Sequence, residues 1–283
     1  MPDRIVKILK QKEDLIDAVP RQFIRKLEQI QNRLYSDILS EIKGMDTKKA
    51  GKLATNNFNI RIANSLRRDI SKFLKKHGYY EAITDFGKQY GDLIKLSKEY
   101  FKAMDLDPVF LDRDIETLSK IRADDLNFLA SRDRDVINTV YDEVLNSIYQ
   151  KKDWRELADR LRNILTDTME NGKPLSGLLK KYSQTYAFTG YAAFDRRIQR
   201  IKAEQYKIDK FLYSGSLIRD SREFCQERAG KIFTRKEIDS WNKLEWQGKV
   251  RGRDVWIYLG GWNCQHSLVP VTDEYAKKMG NKK

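Results

Sequence analysis

The sequence has few of the residues that cross-link, kink or anchor a chain. Its 283 residues include two cysteines, two histidines and five prolines. Two cysteines are too few for a disulfide framework, so we expect synthesis and residence in a reducing cytosol. Because proline is rare, helices can run far without interruption.

Long hydrophobic runs are also missing. No stretch of 18 apolar residues occurs, which argues against a transmembrane helix and predicts no membrane anchor. The first seven residues, MPDRIVK, lack the apolar core of a signal peptide. Hydrophobic residues make up 40% of the chain and charged residues 34%, a balance that suits amphipathic helices better than a compact globule.

The net charge of +14 is unevenly distributed. Lysine and arginine outnumber aspartate and glutamate by 21 to 13 in residues 1–100 and by 16 to 10 in residues 207–283, whereas residues 101–206 carry 18 of each. Basic ends favour an acidic partner, either nucleic acid or an acidic protein surface. Solubility is the alternative explanation, because the basic residues are dispersed and no aromatic–basic pattern interleaves them.

Apolar residues at spacings of three and four predict a mainly α fold with a long-helix N-terminal region. The pattern predicts an elongated helical scaffold over residues 1–204, and its helical stretches are 21–43, 60–76, 81–104, 111–150 (one or two helices), 154–169 and 175–210. His77 precedes Gly78 at the end of one stretch, so we interpret it as a last-turn histidine rather than a ligand.

The composition changes in residues 205–283, which we interpret as a small C-terminal α+β module. Four of the five tryptophans, both cysteines and one histidine fall between Phe211 and Val271. Short strands are predicted at 211–215 and 255–259. Thr234 and Glu237 have the spacing of a capping box, which predicts a helix after Thr234.

Cys225, Cys264 and His266 are the soft-ligand candidates of this module, and three interpretations stay open. They could bind zinc, with a carboxylate such as Asp220 or Glu227, or water, as the fourth ligand. The two cysteines could form a disulfide in an oxidising setting. Otherwise they are buried free thiols, with His266 hydrogen-bonded in a turn. We expect no cofactor, with zinc as the open alternative.

Catalytic motifs are weak. Cys264 and His266 are two residues apart and could share a strand face, but no orienting third group accompanies them. Gly260-Gly261 is not followed by the Lys-Ser or Lys-Thr of a phosphate loop, and we interpret it as a tight turn. The charged run 219–222 is either a buried Asp–Arg pair or solvated charge. We therefore expect that the chain is not an enzyme.

The ordered motifs of residues 175–271 resemble a known family. The order is Tyr213-x-Gly215, then Asp220-Ser221-Arg222-x-x-Cys225-x-x-Arg228-x-Gly230-Lys231, a tryptophan-containing helix, and Gly260-Gly261-x-Asn263-Cys264-x-His266-x-x-x-Pro270. This order is similar to the C-terminal domain of the Mu-type phage head-morphogenesis family, the minor head proteins of tailed bacteriophages. Arg228 and His266 stand where many members have cysteine.

The resemblance implies a structural role. Such proteins are minor capsid components that bind the portal protein, aid head assembly and DNA packaging, and can accompany DNA into the host. It therefore implies a protein of the virion, present in the host cytoplasm during assembly, with the portal, capsid or scaffold proteins and DNA as partners. The motif residues implied to be structural are Tyr213, Gly215, Asp220, Arg222, Gly260, Gly261 and Asn263.

Two other functions remain as alternatives. A cysteine/histidine-dependent enzyme or toxin-like effector would rest on Cys264 and His266. A plain nucleic-acid-binding protein would rest on the basic ends.

Overall fold

The computed structural model describes residues 2–280. The described chain is mainly α, with long helices in its N-terminal part and a small C-terminal α+β module, as predicted. The helices are α1 (Pro2–Ile42), α2 (Asn57–Lys76), α3 (Tyr79–Lys88), α4 (Tyr90–Ala103), α5 (Asp112–Ala130), α6 (Arg132–Tyr149), α7 (Trp154–Leu165), α8 (Leu178–Gln205), α9 (Glu223–Gln226), α10 (Arg235–Ser240), α11 (Val255–Tyr258) and α12 (Asp273–Gly280). Short 3₁₀ turns cover Lys49–Gly51 and Trp241–Lys243.

Five strands form two antiparallel sheets. The first sheet is a hairpin of β1 (Thr168–Glu170) and β2 (Lys173–Leu175). The second has the order β4-β3-β5 and consists of β3 (Lys210–Ser214), β4 (Ile232–Thr234) and β5 (Ser267–Val271). Its central strand pairs Leu212 with Ile232 on one side and with Val269 on the other.

The chain divides into two compact units. The first unit contains the described residues up to Pro20, Phe86–Asp125 and the chain from Thr185 onwards; the second contains Arg21–Asp85 and Leu126–Gln184. The C-terminal module therefore shares its unit with α4 and with parts of α1, α3, α5 and α8, a division different from the boundary after residue 204 predicted from the sequence.

The second unit has an aliphatic helical core. α2 packs against α6, and α6 packs against α7. The side chains that fill these contacts recur every three or four residues and are fully or almost fully buried: Ala63, Leu66, Ile70, Leu74, Val136, Val140, Val144, Ile148, Leu157 and Leu161. A stripe of this kind is what the sequence periodicity predicts.

In the first unit the three-stranded sheet is covered on both faces. Because side chains alternate along a strand, Leu212 points to one face of β3 while Phe211 and Tyr213 point to the other. The Leu212 face packs with residues of α1 and α4, namely Ile5, Ile8, Leu9, Tyr100 and Phe101. The opposite face packs with the tryptophan-rich chain of the module.

Three predictions in the module need correction. Residues 255–259 are not a strand: Val255–Tyr258 is a helical turn, capped by the Asp254 side chain, which accepts a hydrogen bond from Trp256 N at 3.1 Å. β5 was not predicted, because Pro270 lies within it; it is an edge strand, where a missing N–H is tolerated. β4 was also missed. The predicted strand at 211–215 and the capping box at Thr234 are confirmed.

Several helix boundaries also differ from the prediction. α1 begins at Pro2 rather than at residue 21 and includes Pro20, and α8 ends at Gln205 rather than at residue 210. The stretch 81–104 is two helices that part at Gln89, whose carbonyl accepts a hydrogen bond from Tyr191 Oη at 2.8 Å. Glycines on either side of this point, Gly87 and Gly91, have low helix propensity. α7 ends at Leu165 rather than at Met169, because Met169 belongs to the β1–β2 hairpin.

The described part of the chain contains no helix that is both long and apolar enough to cross a membrane.

Candidate functional site

The two cysteines and His266 meet inside the first unit although 39 residues separate the cysteines. Cys225 lies on α9, Cys264 follows the turn after α11, and His266 precedes β5. The two sulfur atoms are 4.0 Å apart, and Cys264 Sγ lies 3.7 Å from His266 Nδ1. All three side chains are buried, with 3%, 4% and 6% of their surface exposed. Their ligand atoms all lie within 4.8 Å of one another.

Tyr213 places a hydroxyl at this cluster. It is fully buried on β3 and donates a hydrogen bond to Cys225 Sγ at 3.3 Å. Its ring lies 5.1 Å from the His266 ring and 6.1 Å from the Trp241 ring, centroid to centroid. β3, α9 and the 3₁₀ turn that contains Trp241 therefore meet at this cluster.

Gly260 lies against both sulfur atoms. A Cβ at this position would collide with Cys225 Sγ and would lie 3.2 Å from Cys264 Sγ, so only glycine fits. Its neighbour Gly261 has φ +107°, a conformation that favours glycine, as expected for a tight turn. Glycine is thus needed at 260 because the two sulfur atoms lie against it, and at 261 because the turn requires a positive φ.

Arg196 of α8 holds the backbone of the cluster. Its guanidinium is 1% exposed and donates to the carbonyl oxygens of His266 at 2.7 Å and Ile257 at 2.6 Å, and to that of Cys264. One side chain therefore fixes the end of α11 and both ends of the Cys264–His266 segment. Arg196 could not be singled out from the sequence, because it lies in a helix that also carries Asp195, Arg197 and Arg200, and such a charged run is typical of a solvated face.

A buried ion pair lies beside Arg196. Lys12 Nζ of α1 lies 2.7 Å from Asp195 Oδ1, and the two side chains are 3% and 0% exposed. Asp195 also accepts hydrogen bonds from Ser267 Oγ at 2.8 Å and from Gln199 Nε2 at 3.3 Å. This carboxylate is therefore occupied by partners other than Arg196.

The two thiols have opposite electrostatic tendencies. The hydrogen bond with Cys225 lowers the pKa of the Cys264 thiol against the effect of burial, and the nearby Arg196 charge lowers it further. The same hydrogen bond, together with burial, raises the pKa of the Cys225 thiol. Burial, followed by the neighbouring Cys264, raises the pKa of Tyr213 well above its usual range. The arrangement favours a thiolate at Cys264 that accepts a hydrogen bond from the thiol of Cys225.

The carboxylates suggested as a fourth ligand lie elsewhere. Asp220 and Glu227 are exposed, and neither belongs to the clustered group of ligand atoms. Glu227 pairs instead with Arg228 at 2.9 Å. Asp220 is solvated, so a buried Asp–Arg pair in the run 219–222 is not found.

The remaining motif residues support the loops around the cluster. Arg222 Nη2 donates to the carbonyl oxygen of Trp262 at 2.8 Å. Asn263, with φ +60°, has its backbone N–H bonded to Thr189 Oγ1 at 3.0 Å. Gly215, the residue after β3, lies against the His266 ring. A Cβ at this position would be 2.7 Å from ring carbon Cδ2.

The second histidine has a separate environment in the second unit. His77 follows α2 as its C-terminal cap, and its Nε2 lies 2.7 Å from Asp37 Oδ2. Burial acts to raise the pKa of Asp37, but hydrogen bonds from Lys76 and His77 hold it below the ordinary value. His77 thus lies at a helix end, where the sequence places it, and contacts Asp37, a partner that the sequence did not predict.

Comparison with known proteins adds no relative. No protein-family model, no curated protein and no solved structure matches the chain.

Proposed function

We propose that the chain is a structural minor head protein of a tailed phage or prophage, which binds the portal protein and acts in head assembly, DNA packaging or ejection. The motif order from Tyr213 to Pro270 carries the proposal. Its supporting observation is the convergence of Tyr213, Cys225, Gly260 and Cys264 within one buried cluster. If the two sulfur atoms lay on unrelated faces, the motif residues would not belong to one folded unit, and the order would not support the resemblance.

Charge gives independent support. An excess of lysine and arginine in residues 1–100 and 207–283 suits a protein held where packaged DNA meets the portal, because that DNA presents dense phosphate charge. The same excess would also serve an acidic protein surface. Charge therefore supports the location of the protein, while the motif order supports its role.

An exposed tryptophan suggests where a protein partner binds. Trp262 is 43% exposed, whereas Trp241 and Trp256 are buried in the same module. Its ring lies edge-on to that of Tyr258, 5.9 Å between centroids, so it is held by a neighbour in an exposed position. Tryptophan is enriched among the residues that dominate binding energy at protein interfaces.

Co-expression with the portal protein of the same genome tests the proposal. We expect the two proteins to co-elute in size-exclusion chromatography at moderate salt. Trp262→Ala should weaken the complex by at least about tenfold, the loss of one interface anchor. Tyr149→Ala is the matched control, because Tyr149 is an aromatic residue of the second unit that is 59% exposed. Failure of the wild-type chain to co-elute would contradict the proposal.

A salt titration separates this function from plain nucleic-acid binding. Affinity that depends on phosphate contacts falls steeply as salt rises. If portal binding persists at a salt concentration that abolishes binding to duplex DNA, the two activities are distinct. If DNA is bound and the portal protein is not, the chain is a nucleic-acid-binding protein.

A further inference from the structure

We infer that Cys225, Cys264 and His266 form a zinc site that holds the C-terminal module together. This inference is independent of the proposed function, because it rests on the geometry of the cluster alone. It assigns a Cys₂His ligand set drawn from α9, the turn after α11 and the residue before β5.

The spacing of the ligand atoms is close to that of a tetrahedral zinc site. Zn–S bonds of about 2.3 Å and Zn–N bonds of about 2.0 Å give tetrahedral edges of about 3.8 Å between two sulfurs and about 3.5 Å between sulfur and nitrogen. The two corresponding distances here are 4.0 Å between Cys225 and Cys264 and 3.7 Å between Cys264 and His266 Nδ1. The third edge, between Cys225 Sγ and the His266 nitrogen, is no longer than 4.8 Å, so side-chain shifts that draw the three atoms together would give the expected values.

The burial of His266 is otherwise unexplained. Within the described part of the chain its Nε2 has no hydrogen-bond partner, and its Nδ1 faces the sulfur of Cys264. Buried polar atoms are nearly always satisfied, and a thiol is a weak hydrogen-bonding group. A metal ion bound to Nδ1 and the two sulfurs gives the ring one strong bond that offsets part of the cost of its burial, and it leaves Nε2 without a partner among the described residues.

A buried positive charge lies beside Cys264 and favours an anionic sulfur there, the form in which cysteine binds a metal. Arg196 brings a buried positive charge to the backbone of Cys264 and His266, and its three hydrogen bonds all go to neutral carbonyl oxygens. The neighbouring carboxylate of Asp195 is paired with Lys12. An anionic sulfur near Arg196 therefore lowers the cost of burying the charge of the guanidinium group.

Tyr213 acts as a positioning residue. Its hydroxyl donates to Cys225 Sγ at 3.3 Å, the kind of outer hydrogen bond that orients a metal ligand. Gly260 closes the cluster on one side, because a Cβ at this position would collide with Cys225 Sγ and lie 3.2 Å from Cys264 Sγ. Two thiolates and one imidazole select Zn²⁺ over harder divalent cations, and a water would supply the fourth ligand.

Metal analysis of the full chain, purified without an affinity tag and without chelator under reducing conditions, tests the inference. We expect about one zinc per chain. After exchange into Co²⁺, we expect sulfur-to-cobalt charge-transfer bands and the d–d bands of a tetrahedral ion. A chain that binds less than about a tenth of an equivalent of zinc and has two titratable thiols after denaturation would overturn the inference, as would a Cys225–Cys264 disulfide.

Variants locate the metal. Cys264→Ser and His266→Gln should each lose the zinc, whereas His77→Gln should retain it, because that histidine pairs with Asp37 in the second unit. Retention of zinc by both Cys264→Ser and His266→Gln would overturn the assignment. Tyr213→Phe should bind zinc about 10- to 100-fold more weakly while the tetrahedral cobalt spectrum is kept.

A variant that fails to fold could lose the metal for that reason alone. The wild-type chain removes this ambiguity: after chelation, readdition of Zn²⁺ alone should restore the tryptophan fluorescence of the module with a stoichiometry of one. If chelator leaves the fluorescence and the unfolding midpoint unchanged, no structural zinc is present.

Discussion

The two units of this chain hold their interiors together in different ways. In the second unit, aliphatic side chains such as Leu66, Ile70 and Val140 fill the contacts between helices. In the first unit, the centre contains Arg196, Lys12, Asp195, two cysteines and a histidine, all buried. An aliphatic core tolerates changes of shape that keep its volume, whereas a buried polar cluster depends on every partner being present. Substitutions in the interior of the second unit should therefore be tolerated better than substitutions in the polar cluster of the first unit.

The largest effect should follow from replacing Arg196. Arg196→Met removes the donors to three buried carbonyl oxygens, and we expect a loss of about 3–5 kcal/mol, the cost of leaving buried polar groups unpaired. The matched change in the second unit, Ile70→Leu, keeps the volume and should cost less than about 1.5 kcal/mol.

Urea unfolding measures both variants. Four of the five tryptophans lie in the C-terminal module, and Trp154 lies in the second unit, so fluorescence reports mainly on the first unit. Circular dichroism reports on all helices. If Arg196→Met and Ile70→Leu lower the free energy of unfolding by the same amount, the polar cluster of the first unit is no more sensitive to substitution than the aliphatic core of the second.

A smaller effect is expected at Gly260. Gly260→Ala forces a methyl group against Cys225 Sγ and should cost about 1–3 kcal/mol, as overpacking does. Gly91→Ala is the control in the same unit, because a Cβ there meets no heavy atom within 4 Å and the residue lies in α4. That substitution should stabilise the chain by up to about 1 kcal/mol. A neutral Gly260→Ala would show that the sulfurs have more room than the structure gives them.

The smallest effect concerns the pH dependence of the first unit. Asp125 accepts hydrogen bonds from Tyr90 Oη at 3.1 Å and Tyr186 Oη at 3.2 Å, but burial raises the pKa of its carboxyl above the ordinary value of 3.8. The folded state therefore binds this proton more tightly than the unfolded state, so the contribution of Asp125 to stability falls as pH rises from about 3.8 through the raised pKa.

Asp125→Asn removes this titration. We expect the free energy of unfolding of the wild type, minus that of the variant, to decrease with rising pH across the same window and to be constant above it. Urea unfolding at several pH values measures the difference. A difference that increases with pH would mean that the tyrosine hydrogen bonds, not burial, dominate the pKa of Asp125.

The helices of the second unit could be predicted from sequence because their cores are periodic. Ile70 recurs at helical spacing with its neighbours in α2, as Val136 and Val140 do in α6, and all three side chains are buried. One signal there was overlooked: Asn171-Gly172, both with positive φ, is a typical two-residue hairpin turn and accounts for β1 and β2.

The module was harder to predict, because its structure depends on contacts between distant residues. The β-branched residues Val255 and Ile257 suggested a strand, although Asp254 as a cap already favours a helical turn. The candidate residues Cys225, Cys264 and His266 could be identified by type, but their proximity could not. Arg196 gave no signal at all, since its role depends on carbonyl groups more than 60 residues away in sequence.

Hydrogen exchange of the chain with added Zn²⁺ and of the chelator-treated chain tests most directly whether the zinc inferred in the first unit stabilises that interior and not the interior of the second unit. The account predicts that chelation lowers protection in β3, α9 and β5, while α2 and α6 keep theirs. Equal protection before and after chelation, or an equal loss in both units, would contradict it.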